Sequence, residues 1–184
     1  MVRALKKHPT LVTERLRLRP FRAGDLDVLH ALYSDGDNLR FWSAPPYTRL
    51  EQTRRALRWH IAYRPRHYAI WAVEEKNNRR VVGMINYNRR DVREKRAELG
   101  WLALPAFQGK GFMTEAGRAL LRHLIDDLGV HKVEAQIQPR NKPSIALAQR
   151  LGFRKEGGPM RDRWLVGDQW RSVLLYGLIA GEER

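Results

Sequence analysis

Gln108-Gly109-Lys110-Gly111 stands just before a segment with helical spacing, and the chemistry this arrangement offers is anion binding. The first backbone N–H groups of a helix have no partner within it. They point outward, and the helix dipole favours negative charge at that end. Gly109 and Gly111 let the main chain approach a phosphate with no Cβ in the way, while Lys110 either adds a positive charge or points to solvent. Thr114 and Glu115 fall in the first turn, where a hydroxyl can cap free amides and a carboxylate suits the dipole. The spacing matches neither the GxxxxGK[ST] phosphate loop nor the GxGxxG dinucleotide fingerprint. On these residues alone an ordinary tight strand-to-helix turn explains the pattern as well.

Other chemistries are narrowed by composition. Cysteine is absent, which excludes disulfides, thiolate metal sites and a cysteine nucleophile. Any acyl transfer must then proceed without a cysteine-linked enzyme intermediate, most simply by direct attack of the acceptor. His60, His67, His123 and His131 are scattered without metal-ligand spacing, and His123 reads as a helix-surface residue; no metal is expected. Net charge is +15, and 27 of the 35 basic residues are arginine. Such an excess can recruit RNA, ribosomes or acidic substrates, or it can be spread over a solvated surface, since the arginines are scattered.

The elements that must position the glycine turn follow from periodicity. Residues 97–104 form an apolar run with one charge, Glu98, and Pro105 ends it because proline cannot donate to a sheet ladder. From Phe112 to Leu128, Ala116, Leu120, Leu121, Leu124, Ile125 and Leu128 fall on one helical stripe. Upstream, 13–21 alternates as a half-buried strand, with Leu16 and Leu18 inward and Arg15, Arg17 and Arg19 outward. Helices follow at 26–34, with Asp25 as cap, and at 48–63. Strands at 68–74 and 81–88 form a hairpin leading into 97–104, an antiparallel meander. Another strand spans 132–138, a short helix 144–150, and two last strands 153–160 and 169–179. The strand-helix-strand passage at 97–138 implies a parallel or splayed pair mid-sheet. The expected fold is α/β: a mixed, mostly antiparallel sheet of about seven strands with helices on both faces. Residues 1–10 read as a basic tail and 11–184 as one domain. No run approaches a membrane span and no secretory h-region appears, so a cytoplasmic location is the expectation.

Three ordered blocks resemble the GCN5-related N-acetyltransferases, and within them the RimJ/RimL branch, which acetylates protein N-termini and related amines. Gln108-x-x-Gly111-x-Met113 is similar to the family's Q/R-x-x-G-x-G/A pyrophosphate loop, with Met113 in place of Gly or Ala. Asn141 to Ser144 through Gly152-Phe153 resembles its N-x-x-S…GF segment. LVTERLRLRPFRAGD at 11–25 resembles its opening strand and turn. The resemblance implies acetyl-CoA as acyl donor, its diphosphate held by Gln108, Gly109, Lys110, Gly111, Phe112, Met113 and Thr114. It implies that the pantetheine arm enters between strands 97–104 and 132–138, where Leu102, Ala103 and Leu104 offer strand edges and an amide to the carbonyl oxygen. Asn141 would bind the arm and Ser144 would lie near the sulfur.

The resemblance also places the acceptor side in the region of the first two helices, where Trp42, Trp59 and Tyr63 would shape a slot; core or rim packing is their alternative. Glu98 is the first candidate for the base that frees the amine of its proton, or else a sheet carboxylate paired with an arginine. Two positions depart from the family: Arg163, beside Asp162, stands where relatives carry a Glu, and Ala148 where many carry a Tyr acid. That leaves Ser144 or solvent as proton source. The acceptor would be a protein N-terminal amine, such as that of a ribosomal protein, or a small-molecule amine. The departures also motivate a coenzyme A-binding protein without catalysis, and the charge alone a ribosome- or RNA-associated module. Nothing in the residues specifies an oligomeric state, and a homodimer is compatible with them.

Overall fold

The structure, a computed structural model, describes residues 8–62 and 65–182. The chain forms β1 (Leu11–Val12), β2 (Leu16–Pro20), α1 (Leu26–Ser34), α2 (Leu50–Ile61), β3 (Ala69–Glu75), β4 (Val81–Asp91) and β5 (Arg96–Ala103). It continues through α3 (Phe112–Arg122), β6 (Lys132–Ile137), α4 (Lys142–Arg150), β7 (Arg154–Val166) and β8 (Gln169–Ile179). One eight-stranded sheet has the order β1-β2-β3-β4-β5-β6-β8-β7. The eighth strand is the short β1, split from β2 by a turn at 13–15 that strand alternation does not reveal. β5 and β6 pair in parallel; every other neighbouring pair is antiparallel.

Each face of the sheet buries its own cluster. Leu16, Leu18, Trp71, Ile85, Ala97 and Leu99 pack beneath α3 and α4, whose Ala116, Leu120, Leu147 and Ala148 close that side, with Leu124 from the π-helical turn His123–Asp127 that continues α3. Ile70, Ala72, Met84 and Leu102 face the opposite way, against Leu29, Leu32 and Tyr33 of α1 and Leu57 of α2. Adjacent strand residues point to opposite faces, so a sheet covered on both sides reads as the near-continuous apolar runs of β3, β4 and β5.

Tertiary packing overrides four local expectations. Arg19 does not face solvent: it is 7% exposed, bonded to Asp25 at 2.7 Å and Glu74 at 2.6 Å. Asp25 makes no side-chain cap to α1, because its carboxylate accepts from Arg19 and the Arg22 amide. His123 is buried, 2.7 Å from Asp127 and edge-on to Trp71. Of the expected tail, residues 1–7 lie outside the described residues, while His8 packs on Trp71 and the Pro9 carbonyl accepts its indole N–H at 2.8 Å.

Candidate active site

The site begins where β5 and β6 part. Their parallel pairing runs from Arg96↔Lys132 to Glu98↔Glu134 and stops. β5 continues along β4 to Ala103, and β6 continues along β8 to Ile137. Beyond Glu98 the two strands therefore leave an open edge between them. The Leu104 amide donates to the Val82 carbonyl at 3.0 Å. Because main-chain groups alternate along an antiparallel pair, residues 98, 100, 102 and 104 turn theirs toward β4. Residues 99, 101 and 103 turn theirs toward the gap. Of the three residues 102–104, then, Ala103 is the one whose N–H is left on that edge, its carbonyl accepting from Gln108 Nε2 at 3.4 Å, and Trp101 turns its main chain the same way.

The glycine turn follows directly. Gly109 has φ 74° and Gly111 φ 77°, ψ 0°, left-handed values that glycine tolerates best. Gly111 is the N-cap of α3, and no side chain caps that end; Thr114 does not take the capping role its position allows. Glu115 is engaged elsewhere. Its carboxylate accepts from the Thr13 hydroxyl at 2.6 Å, the Arg15 amide at 2.8 Å and Arg15 Nε at 2.6 Å. Burial pushes this carboxyl up, but the hydrogen bonds from Thr13 and Arg15 outweigh it and hold it below its ordinary value. The Arg15 guanidinium also donates to the Lys110 carbonyl at 3.2 Å and lies 4.8 Å from the Phe112 ring. The β1–β2 turn thus clamps the glycine turn; the Gln108 amide donates to the Pro105 carbonyl at 3.2 Å, while the amides from Gly109 to Gly111 have no hydrogen-bond partner among the described residues.

This corner opens into a cavity of about 1280 Å³, lined among others by Trp101, Leu102, Ala103, Gln108, Gly109, Gly111, Phe112, Met113, Thr114, Asn141 and Ser144. That volume exceeds the roughly 300–1,000 Å³ of drug-sized sites and suits a long ligand. Arg118, Arg122 and Arg150 line it as well, and among the described residues none of the three has an ion-pair partner. Free helix amides at one point and unpaired guanidinium groups at another fit an acyl carrier with several phosphates. Two expected cofactor residues stand apart. Leu104 packs with the opposite-face cluster, and the Lys110 ammonium lies 5.4 Å from the Phe107 ring centroid without lining the cavity. Asn141 Oδ1 accepts from the Ser144 amide at 3.3 Å, capping α4. Ser144 Oγ accepts from Trp101 Nε1 at 3.2 Å, which leaves the hydroxyl proton available to the cavity.

Glu98 lies on the other side of β5, in a second cavity of about 430 Å³ with Ser43, Asn88, Arg89, Arg163, Trp164 and Leu165. Its side chain is 13% exposed and bonded to Arg89 at 2.8 Å. Both donors to it, Arg89 Nη1 and Gln136 Nε2, reach Oε2. Among the described residues nothing donates to Oε1. The arginine pairing is thus present, and Glu98 lines this second cavity and not the one at the glycine turn. Trp42 lines the first cavity and Ser43 the second, so one short loop borders both. Trp59 is 51% exposed on α2 and lines neither; Tyr63 lies outside the described residues.

Residues 15–154 match the Acetyltransferase (GNAT) domain. This chain is a member of the GNAT family of N-acetyltransferases. The acetyltransferase is 32% identical over 177 residues to the N-acetyltransferase p20 of Bacillus licheniformis, covering 94% of this chain and 97% of that one. It is 26% identical to the spermidine N(1)-acetyltransferase of Escherichia coli K12 over 86% of this chain and 83% of the relative. It is 40% identical to the ribosomal protein uS5 alanine N-acetyltransferase of the same organism, over 44% of this chain and 41% of the relative. A crystal structure of a GNAT-family acetyltransferase from Bacillus anthracis superposes with a TM-score of 0.81, at 25% identity, over 93% of this chain and 98% of that one.

Between α1, α2 and the start of β3, the acetyltransferase buries a chain of polar rings. His60 Nε2 lies 2.9 Å from the Tyr33 hydroxyl and Nδ1 2.9 Å from that of Tyr68. The Tyr33 hydroxyl is 3.2 Å from Met84 Sδ and donates to it. The ring then donates from Nε2 and accepts the Tyr68 proton at Nδ1. Burial lowers the His60 pKa to about 4 and raises those of both tyrosines, so the chain is neutral throughout. Sequence reasoning passed over this trio, Trp101 and the Arg15 clamp. Only Trp101, beside the expected strand edge, carried a signal that could have found it.

Proposed function

We propose that the protein acetylates a primary amine by direct attack on acetyl-CoA, the acceptor being a small amine or a protein N-terminal amine. The observation that carries this reading is the uncapped start of α3, with Gly109 and Gly111 in left-handed conformations, opening into the same cavity as the free edge of β5. When bound, acetyl-CoA supplies an activated acetyl carbonyl. The turn from Gln108 to Thr114 would hold its diphosphate, and Arg118, Arg122 and Arg150 its remaining phosphate charge. The N–H of Trp101 or Ala103 would donate to the acetyl oxygen, a contact typically worth about 3 kcal/mol when preorganised. As the N–C bond forms and the C–S bond breaks, the amine must lose a proton and the sulfur must gain one. Glu98 Oε1 would take the first, and the Ser144 hydroxyl would supply the second, oriented by Trp101.

Relatives acting on spermidine and on the alanine of uS5 favour amine acceptors of both kinds. The test is acetyl-CoA with a panel of polyamines, amino acids and N-terminal peptides, read by free thiol release and product mass. Acetylated amine is the expected product. Acetyl-CoA binding with no turnover across the panel overturns the reading.

A further inference from the structure

The cavity around Glu98 is not built for a polycation. Its charged lining is Arg89, Arg163 and Glu98, one negative group against two positive ones. Arg89 is committed to Glu98. Arg163 has no hydrogen bond or ion pair among the described residues, although it is one of the residues facing the same space. An acceptor bringing only positive charge would leave that guanidinium unanswered and be repelled by it. An acceptor bringing an ammonium and a carboxylate would match the lining at both ends.

The amine end of such a ligand has its own partners. Asn88 is the register partner of Glu98 across β4 and β5. Its Oδ1 is buried and has no hydrogen-bond donor, although buried acceptors are nearly always paired. Glu98 Oε1 is likewise without a donor among the described residues. Two acceptors on adjacent strands, lining one cavity, are what an ammonium or amine requires, since it brings two or three N–H groups.

The backbone aims Arg163 into this place. Met160 pairs with Val173 and Trp164 with Arg171, so four steps on β7 match two on β8. Within the bulge Asp162 holds φ 51°, a left-handed value that costs a non-glycine residue energy. Bulges turn side chains out of the strand alternation and recur beside active sites. Here the bulge sets Arg163 facing the cavity next to Trp164.

We propose that the acetyltransferase selects primary amines that carry a carboxylate a few bonds from the nitrogen, with Arg163 reading the carboxylate while Glu98 and Asn88 hold the amine. This rests on amine acetylation at this site. The carboxylate can belong to a free amino acid or to an acidic residue next to a peptide N-terminus.

The test compares matched acceptors with saturating acetyl-CoA: alanine against alaninamide, an Ala-Asp peptide amide against its Ala-Asn counterpart, and spermidine. kcat/KM for at least one carboxylate partner exceeds that of its neutral counterpart by about tenfold or more, and which pair shows it identifies the source. In Arg163→Gln the ratio falls toward one through a higher acceptor KM; in Arg161→Gln, on the same strand and outside the cavity, it persists. Calorimetry with the favoured acceptor and coenzyme A gives a second readout, binding weakened about tenfold by Arg163→Gln. Turnover with no carboxylate preference, a preference for spermidine, or a ratio unmoved by Arg163→Gln overturns this proposal and leaves amine acetylation standing. No turnover with any amine overturns both.

Discussion

The two sides of β5 are built on different principles. The corner of the first cavity at the glycine turn is made of main chain: free amides at the start of α3, two left-handed glycines and the open edge of β5. These come from one stretch, residues 97–115, so their geometry is nearly local. The second cavity is lined by side chains from segments far apart: Ser43 from a loop, Asn88 and Arg89 from β4, Glu98 from β5, and Arg163 and Trp164 from a bulged hairpin. Main-chain recognition is indifferent to most substitutions and suits a ligand common to a family. Side-chain recognition changes with one residue, and Arg163 is one of the side chains lining that cavity.

The largest test of this contrast is Gly111→Glu. A side chain at φ 77° costs about 1–2 kcal/mol, and the added charge opposes a diphosphate. Acetyl-CoA affinity should fall about 1,000-fold, equivalent to about 4 kcal/mol, with the far-UV circular dichroism retained. Unchanged affinity in the folded variant would remove the main chain from donor binding. Glu98→Gln should lower kcat/KM for the acceptor about 100-fold, within the usual range for a positioned base, and leave acetyl-CoA affinity alone. An unchanged kcat/KM in the folded variant takes Glu98 out of the chemistry.

A third effect separates the sides by stability. His60 titrates near 4 in the folded protein and near 6.5 unfolded. The unfolded chain therefore binds more protons between those values, and stability falls as pH drops from about 6.5 to 4. The loss should reach about 3 kcal/mol by pH 4. Burial lowers His8 to about 4 as well, so His60→Gln should reduce the slope of the denaturation-midpoint curve there by about half; an identical slope in the variant would show that other groups carry it. The smallest effect is expected for Ser144→Ala. It removes a proton donor and leaves the Trp101 indole N–H without its acceptor, a cost near 1 kcal/mol. Turnover should drop about fivefold with little change in acetyl-CoA KM, and an unaltered kcat would assign the sulfur's proton to solvent.

Much of the fold was legible because its signals are local. The stripe through Leu120 and Leu124, the apolar run at 97–104 and the polar hairpin link at 76–79 each imply their own element, and Pro105 marks a strand end wherever the strand sits. The glycine turn was legible for the same reason. Roles depending on residues far away in sequence were not. Arg19 alternates like a surface residue and is buried because Glu74 and Asp25 meet it there. His123 reads as exposed until Trp71 covers it.

By itself, then, the sequence determined a sheet with helices on both faces and a glycine turn leading into a helix, since hydrophobic period and glycine conformational freedom act over a few residues. The tertiary structure alone decided that Arg15 and Glu115 clamp that corner, that Ala103 rather than Leu104 turns its main chain to the gap, and that Arg163 shares a cavity with Glu98. Those facts depend on strand register and on a two-residue bulge. A shift of one position reverses which way a side chain points, and no local pattern in the chain records it.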